Sequence, residues 1–373
     1  MNMNCKKWLE DKIAEIVSLE SYVPEKTIKN ATKRSGLSSS DIIKLNFNEN
    51  LYIKRTKLVA LLKEVAEECD PRLYPQEEEA KLREAIAEYL KLRQGCVAIG
   101  NSSDEVMDRI TRLFLEKGDQ AITFTPTFSV FRYCVKYQGA EYVSVPLQKS
   151  FTLDVEAIRA RFAPNVKLLY LCSPNNPTGN QFKLNEVEAL IEDFAGVVMV
   201  DEAYGEYADY SIIPLIEKYE NLVVLRTFSK AFGLAGLRLG YAIANQTLAK
   251  AVNKVPAPYS INIVSLTMGR RLLENVDLMR RAVVALKDQR GKLIDALNEI
   301  RGVEAFDSRA NFVLFNVVKP YENVYANLLK RGIIIKKLGK LLMYENCLRA
   351  TVGLPEMNMK LLTGLREYLG DET

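Results

Sequence analysis

Residues 221–241 read NLVVLRTFSKAFGLAGLRLGY. An unbroken apolar run, Leu222 to Leu225, delivers Ser229 and Lys230 into a segment holding Gly233, Gly236 and Gly240. A continuous rather than alternating run suits a strand covered on both faces, as in parallel sheets. Glycines just beyond it let backbone approach a ligand closely. With 51 Lys and Arg in the chain, any one lysine is by default a solvated surface charge. Lys230 departs from that default because it sits where a buried strand gives way to glycines. Eight residues further on, Arg238 offers a planar fork suited to phosphate or carboxylate.

Similar runs flank this one. DQAITFTPTF (119–128), AEYVSVPL (140–147), VKLLYLCSPNNPTG (166–179), GVVMVDEAYGEY (196–207) and YAIAN (241–245) each read as a strand. Helical patterns separate several of them, so the expected fold class is α/β: a large domain with a mainly parallel sheet flanked by helices. Polar residues collect just past the strand ends, where open α/β sheets bind ligands. Three of those ends carry Asn176, Asp201 with Tyr204, and Lys230. Upstream, CVAIGNSSDEVMDRITRLFLEKG (96–118) reads as a short strand and then a helix opened by a capping box, Ser102 with Glu105. Its free N–H groups and dipole suit an anion, although a well-capped helix alone explains the pattern.

The ends of the chain read differently. Residues 1–45 read as an arm with an amphipathic helix (Trp8, Ile13, Ile16, Val17), attached to the smaller domain. Residues 46–258 form the expected large domain, with Pro256 and Pro258 marking a boundary. Residues 259–373 form an expected small α+β domain: one long helical region to about Ile300, strands NFVLFNV, IIIKKL and CLRATVG, and a closing helix to Leu369.

Composition narrows the chemistry. Net charge is +4, from 51 basic and 47 acidic residues without a basic block, which argues against nucleic acid as a partner. No apolar run approaches the roughly 20 residues of a membrane span, and charges interrupt the N-terminal stretch MNMNCKKWLEDKIAEIV, so a cytoplasmic protein is expected. Six dispersed cysteines form no C-x-x-C pair and suggest no metal site. Histidine is absent, which removes imidazole bases, Ser-His triads and HExxH zinc sites. Proton transfer must then run on Lys, Tyr, Asp, Glu or Cys. Neither GxGxxG nor a Walker motif occurs.

Asn176, Asp201, Tyr204 and Lys230 together suit pyridoxal phosphate, which needs a lysine for its aldehyde, a carboxylate for its ring nitrogen and donors for its phenolic oxygen. The motifs SPNNPTG (173–179), VVMVDEAY (197–204), RTFSKAFGLAGLRLGY (226–241) and LRATVG (348–353) resemble those of the class I/II aminotransferases of fold type I. LNFNEN, LYP, NSSDE, PTF and SRANFVLF extend the resemblance over nearly the whole chain. The resemblance implies that Lys230 forms the Schiff base and that Asp201 faces the pyridinium nitrogen. Asn176 and Tyr204 would contact the phenolic oxygen, and Phe128 would stack on the ring. Ser103, Asp104, Thr227, Ser229 and Arg238 would surround the phosphate, with Tyr74 reaching in from the second subunit of a homodimer. Arg349 would bind substrate anions, and Tyr22 and Asn50 would close over substrate. The reaction implied is amino transfer from histidinol phosphate to 2-oxoglutarate. Aromatic amino acids, or decarboxylation of a phosphate ester, stand as alternatives. Two departures from the family pattern bear on substrate: Leu51 where relatives have proline, and Lys336-Lys337 where they often place an arginine.

Overall fold

A computed structural model describes residues 2–20, 32–33 and 36–370. Twelve strands form two sheets among these residues. They are β1 (Ile43–Leu45), β2 (Val97–Gly100), β3 (Gln120–Thr125), β4 (Glu141–Pro146), β5 (Val166–Cys172), β6 (Val197–Asp201), β7 (Leu222–Thr227), β8 (Gly240–Ala244), β9 (Val303–Ala305), β10 (Phe312–Val317), β11 (Ile333–Leu341) and β12 (Tyr344–Thr351). The larger sheet has seven strands in the order β2-β8-β7-β6-β5-β3-β4. Only the two pairs made by β8 are antiparallel. Every residue of β7 and β8 is buried, the apolar ones as in strands covered on both faces and Arg226 through its pairs with Glu202 and Glu206.

Register places the chemistry. Cys172 pairs with Asp201, and Asp201 with Leu225. The C-terminal ends of β5 and β6 are therefore level, β7 runs two residues further, and the turns that follow them emerge side by side. The helix Ser103–Phe114 starts just after β2, capped by the Ser102 hydroxyl, which accepts from the Glu105 N–H at 3.4 Å. Glu105 does not return the bond to Ser102; its carboxylate accepts from the Asn101 N–H at 3.2 Å and pairs with the buried Arg109. β8 passes so close to this helix start that a Cβ on Gly240 would lie 2.2 Å from Ser103 N. Only glycine permits that approach.

The smaller sheet has the order β1-β11-β12-β10-β9, with β1 parallel to β11 and the other pairs antiparallel. β1, from the N-terminal part of the chain, thus completes a sheet otherwise built after residue 300. β9 is an extra three-residue strand that no periodicity announces. The long helical region expected between 259 and 300 is two helices, Ile263–Glu274 and Asp277–Asn298. They part at Asn275, whose backbone N–H and side-chain amide both donate to the Arg271 carbonyl, at 3.2 and 2.9 Å. The first of them packs on the helices Arg55–Glu68 and Glu78–Leu90, beside the large sheet, and the second lies against β9 and β10. No helix among the described residues is long and apolar enough to cross a membrane.

Candidate active site

A cleft opens at the ends of β5, β6 and β7, and its walls include Asp104, Phe128, Asn176, Asp201, Lys230 and Arg349. Lys230 follows β7 directly. Its Nζ donates to the Phe47 carbonyl at 3.1 Å and lies 5.8 Å from the centre of the Tyr204 ring. Burial, with the Arg349 charge nearby, holds its amine down to about 8. A lysine so placed is still mostly charged near neutral pH, but its neutral, nucleophilic form is far more populated than that of an ordinary lysine.

Asp201 ends β6 and is buried. One carboxylate oxygen accepts from the Tyr170 hydroxyl at 2.8 Å and the other from the Ala203 N–H at 3.0 Å. Among the described residues it has no ion-pair partner, and burial pushes its carboxyl up to about 6 despite those two donors. A buried carboxylate of this kind is set to receive a cation. Tyr204 is buried too; its hydroxyl accepts from the Asn48 amide at 2.9 Å, and burial pushes its phenol up.

The cleft is also lined by Ser103, Asp104, Thr227, Ser229 and Arg238. Thr227 Oγ1 accepts from the Ser229 N–H at 3.1 Å, and Arg238 reaches the Ser229 hydroxyl at 3.5 Å and the Asp104 carboxylate at 3.0 Å. These groups converge on the first turn of the helix Ser103–Phe114, whose free N–H groups and dipole favour an anion.

Arg349 comes from β12 in the smaller sheet. It donates to the Asn176 side-chain oxygen and, at 3.0 Å, to the Asn46 carbonyl, with its guanidinium 4.9 Å from the centre of the Phe312 ring. Phe47, Phe128, Asn176 and Arg349 also line a second, adjoining compartment. That compartment adds Arg132, Lys336, Tyr142 and Ser144. Lys336 and Lys337 part company as neighbours on a strand do. Lys336 lines the compartment, whereas the Lys337 ammonium sits 5.0 Å over the Tyr325 ring.

Ten of the residues expected from sequence line the first compartment, together with Arg349. Asn50 does not line it. Its amide donates to the Ala231 carbonyl at 2.7 Å and its oxygen accepts from the Tyr52 N–H at 2.8 Å, so it ties the 46–52 segment to the loop after Lys230. Tyr74 is exposed and stacks on Tyr259 with centroids 4.9 Å apart, outside the cleft of its own chain. Tyr22 lies outside the described residues. Sequence reasoning missed Phe47, Asn48, Tyr170 and Arg132. Only Tyr170 left a usable signal, two residues before the strand-end Cys172 and hence on its face of β5.

The model of the family "Aminotransferase class I and II" matches residues 40–364. This chain belongs to that family. Among its relatives, the histidinol-phosphate aminotransferase of Thermococcus gammatolerans is 38% identical over 331 residues, covering 89% of this chain and 93% of the relative. That of Methanosarcina mazei is 36% identical over 351 residues, covering 93% and 94%. A solved structure, histidinol-phosphate aminotransferase from Sinorhizobium meliloti in complex with pyridoxal-5'-phosphate, superposes with a TM-score of 0.84 at 23% identity, covering 94% of this chain and 96% of that one. The likeness confirms the fold. Pyridoxal phosphate fits the residues present in this aminotransferase. The buried Asp201 has no ion-pair partner among the described residues, Lys230 is a depressed amine, and Ser103, Thr227, Ser229 and Arg238 line the cleft beside a helix start.

Proposed function

We propose that this aminotransferase carries pyridoxal phosphate and exchanges the amino group of L-histidinol phosphate with 2-oxoglutarate, giving imidazole acetol phosphate and L-glutamate in histidine biosynthesis. The carrying observation is the second compartment. It adjoins the lysine-bearing cleft through Arg349, and it adds Arg132 and Lys336 on opposite lobes. Arg132 pairs with Glu20 at 2.5 Å, so it is chiefly Arg349 and Lys336 that suit a phosphate-bearing amino donor, and the relatives from Thermococcus gammatolerans and Methanosarcina mazei carry that activity in their names.

When bound, the cofactor supplies an aldehyde that accepts the amino group and a ring that withdraws electrons from the carbon bearing it. Lys230 would hold the aldehyde and, once released, move the proton at that carbon; no histidine exists to compete for the role. Asp201 would face the ring nitrogen, and Asn176 with Tyr204 the phenolic oxygen. Ser103, Asp104, Thr227, Ser229 and Arg238 would hold the phosphate, and Phe128 would cover the ring. Arg349 would grip the anion of each substrate in turn, phosphate in one half-reaction and carboxylate in the other. Lys336 supplies charge without the bidentate fork of an arginine, so it would attract the phosphate while fixing its orientation less. We further infer a cytoplasmic homodimer in which Tyr74 reaches the partner's site.

A substrate panel with 2-oxoglutarate as acceptor tests the reading. Glutamate formation is expected to be fastest with histidinol phosphate. Faster turnover of phenylalanine or tyrosine would make the enzyme an aromatic aminotransferase, and carbon dioxide release from a phosphorylated amino acid without an acceptor would make it a decarboxylase.

A further inference from the structure

Tyr170 touches the machinery above without having a part in it. It lies on β5 with no exposed surface, and its hydroxyl donates to Asp201 Oδ2 at 2.8 Å. Its ring is fixed by a stack on Phe131, with centroids 4.4 Å apart and planes at 16°. The other carboxylate oxygen is held from the opposite side by the Ala203 N–H at 3.0 Å. Both oxygens of Asp201 are therefore anchored, and the carboxylate cannot swing about its last torsion without losing a bond. The backbone donor comes from the turn after β6, whereas the phenol comes from the neighbouring strand. The phenol is the only side chain among the described residues that holds this carboxylate by a hydrogen bond.

Chemistry makes the contact more than packing. A phenol buried this deeply stays protonated and is a permanent donor. A donor directed at a carboxylate favours its charged form, and hydrogen bonds to charged groups are the stronger class. Asp201 sits where burial opposes charge, so removal of this donor tilts the carboxyl toward accepting a proton. With a pyridine nitrogen opposite, the proton so accepted would be the one the ring needs in order to withdraw electrons.

We propose that Tyr170 is a positioning residue for the cofactor's ring nitrogen: its hydroxyl clamps Asp201 as an oriented anion and so keeps the shared proton on the ring. This rests on the assignment of pyridoxal phosphate to the cleft. The test compares wild-type, Tyr170→Phe and Phe131→Leu proteins loaded with pyridoxal phosphate labelled with 15N in the ring. Tyr170→Phe keeps the stacked ring and loses only the hydroxyl. It is expected to move the 15N resonance toward that of neutral pyridine, to weaken cofactor binding about ten-fold, and to lower kcat with little change in KM. Phe131→Leu loosens the ring but keeps the hydroxyl, and is expected to lower Tm while leaving the resonance in place. An unmoved resonance and unchanged affinity in Tyr170→Phe would overturn the proposal. Equal movement of the resonance in Phe131→Leu would reduce Tyr170 to a packing residue. If the wild-type protein takes up no pyridoxal phosphate, the cofactor assignment itself fails, and the proposal with it.

Discussion

Lys230 and Asp201 are displaced in opposite directions by the same burial, and each displacement has a consequence that titration reads. Lys230 falls from the ordinary 10.5 to about 8. A lysine with a lowered folded pKa costs the fold nothing above about pH 10.5; the cost builds as pH falls from there to about 8 and is constant below that. Capture of pyridoxal phosphate needs the neutral amine. The capture rate of the cofactor-free protein, followed by stopped-flow absorbance, should therefore rise with pH, pass half its maximum near 8 and level off above that. Arg349 adds to the depression, so Arg349→Ala should move the plateau to higher pH; an unmoved plateau would leave burial as the whole cause. Lys230→Ala should give no covalent adduct after borohydride reduction, as read by mass spectrometry. Asp201 rises from 3.8 to about 6. Its folded form binds a proton more tightly than the unfolded chain does, so the charged state costs the cofactor-free protein about 3 kcal/mol at neutral pH. That cost fades as pH falls from 6 toward 4. Asp201→Asn should accordingly raise the Tm of the cofactor-free protein at pH 7.5, with the gain shrinking by pH 4.5, and abolish most of the stabilisation that added cofactor gives. A Tm difference independent of pH would contradict this account.

At the level of elements, the contact between β8 and the helix Ser103–Phe114 is the most constrained. A methyl on Gly240 would meet the Ser103 nitrogen at 2.2 Å and the Ser102 carbonyl carbon at 2.5 Å, backbone atoms that cannot step aside. Gly240→Ala should force β8 and the helix start apart, costing about 1–3 kcal/mol and weakening cofactor binding through the displaced phosphate end. Gly236→Ala is the control, because nothing lies within 4 Å of its added methyl; equilibrium dialysis and thermal melts should separate the two variants. The strands around this contact were legible because each runs long, apolar and unbroken to a polar end. Asp201, Asn176 and Lys230 were legible for the same reason, since Asp201 ends its strand and the other two sit in the turns just past theirs. The break at Asn275 was not, because the apolar pattern runs on across it into a region rich in helix formers. Asn50 was read as a substrate contact because its motif carries it. Only tertiary structure reveals that the Ala231 carbonyl occupies its amide. Tyr170 looked like one more core residue of β5, since periodicity records that a side chain is buried but not which polar atom its hydroxyl meets.

For the molecule as a whole, the surface is hard to reconcile with an isolated chain. The N-terminal helix Asn2–Ser18 leaves Trp8, Leu9, Ile13, Ile16 and Val17 exposed, and Tyr74 stacks on Tyr259 with both rings largely in solvent. Exposed apolar groups in such number favour association, and light scattering at micromolar concentration should return the mass of two chains. A shared site makes a sharper demand than mass. Lys230 lies in the cleft of its own chain, whereas Tyr74 lies outside it. If Tyr74 completes the partner's site, a hybrid of one Lys230→Ala chain and one Tyr74→Ala chain places both lesions in one site and leaves the other intact. Random pairing makes half of all dimers hybrids, each with one intact site, so co-expression should restore about a quarter of wild-type activity. If Tyr74 instead serves its own chain, every site in the hybrid carries one lesion and no activity returns. Cofactor titration of the hybrid gives the same answer independently of turnover: a tight-binding class of sites with an intact lysine should reappear only when the tyrosine acts across the interface.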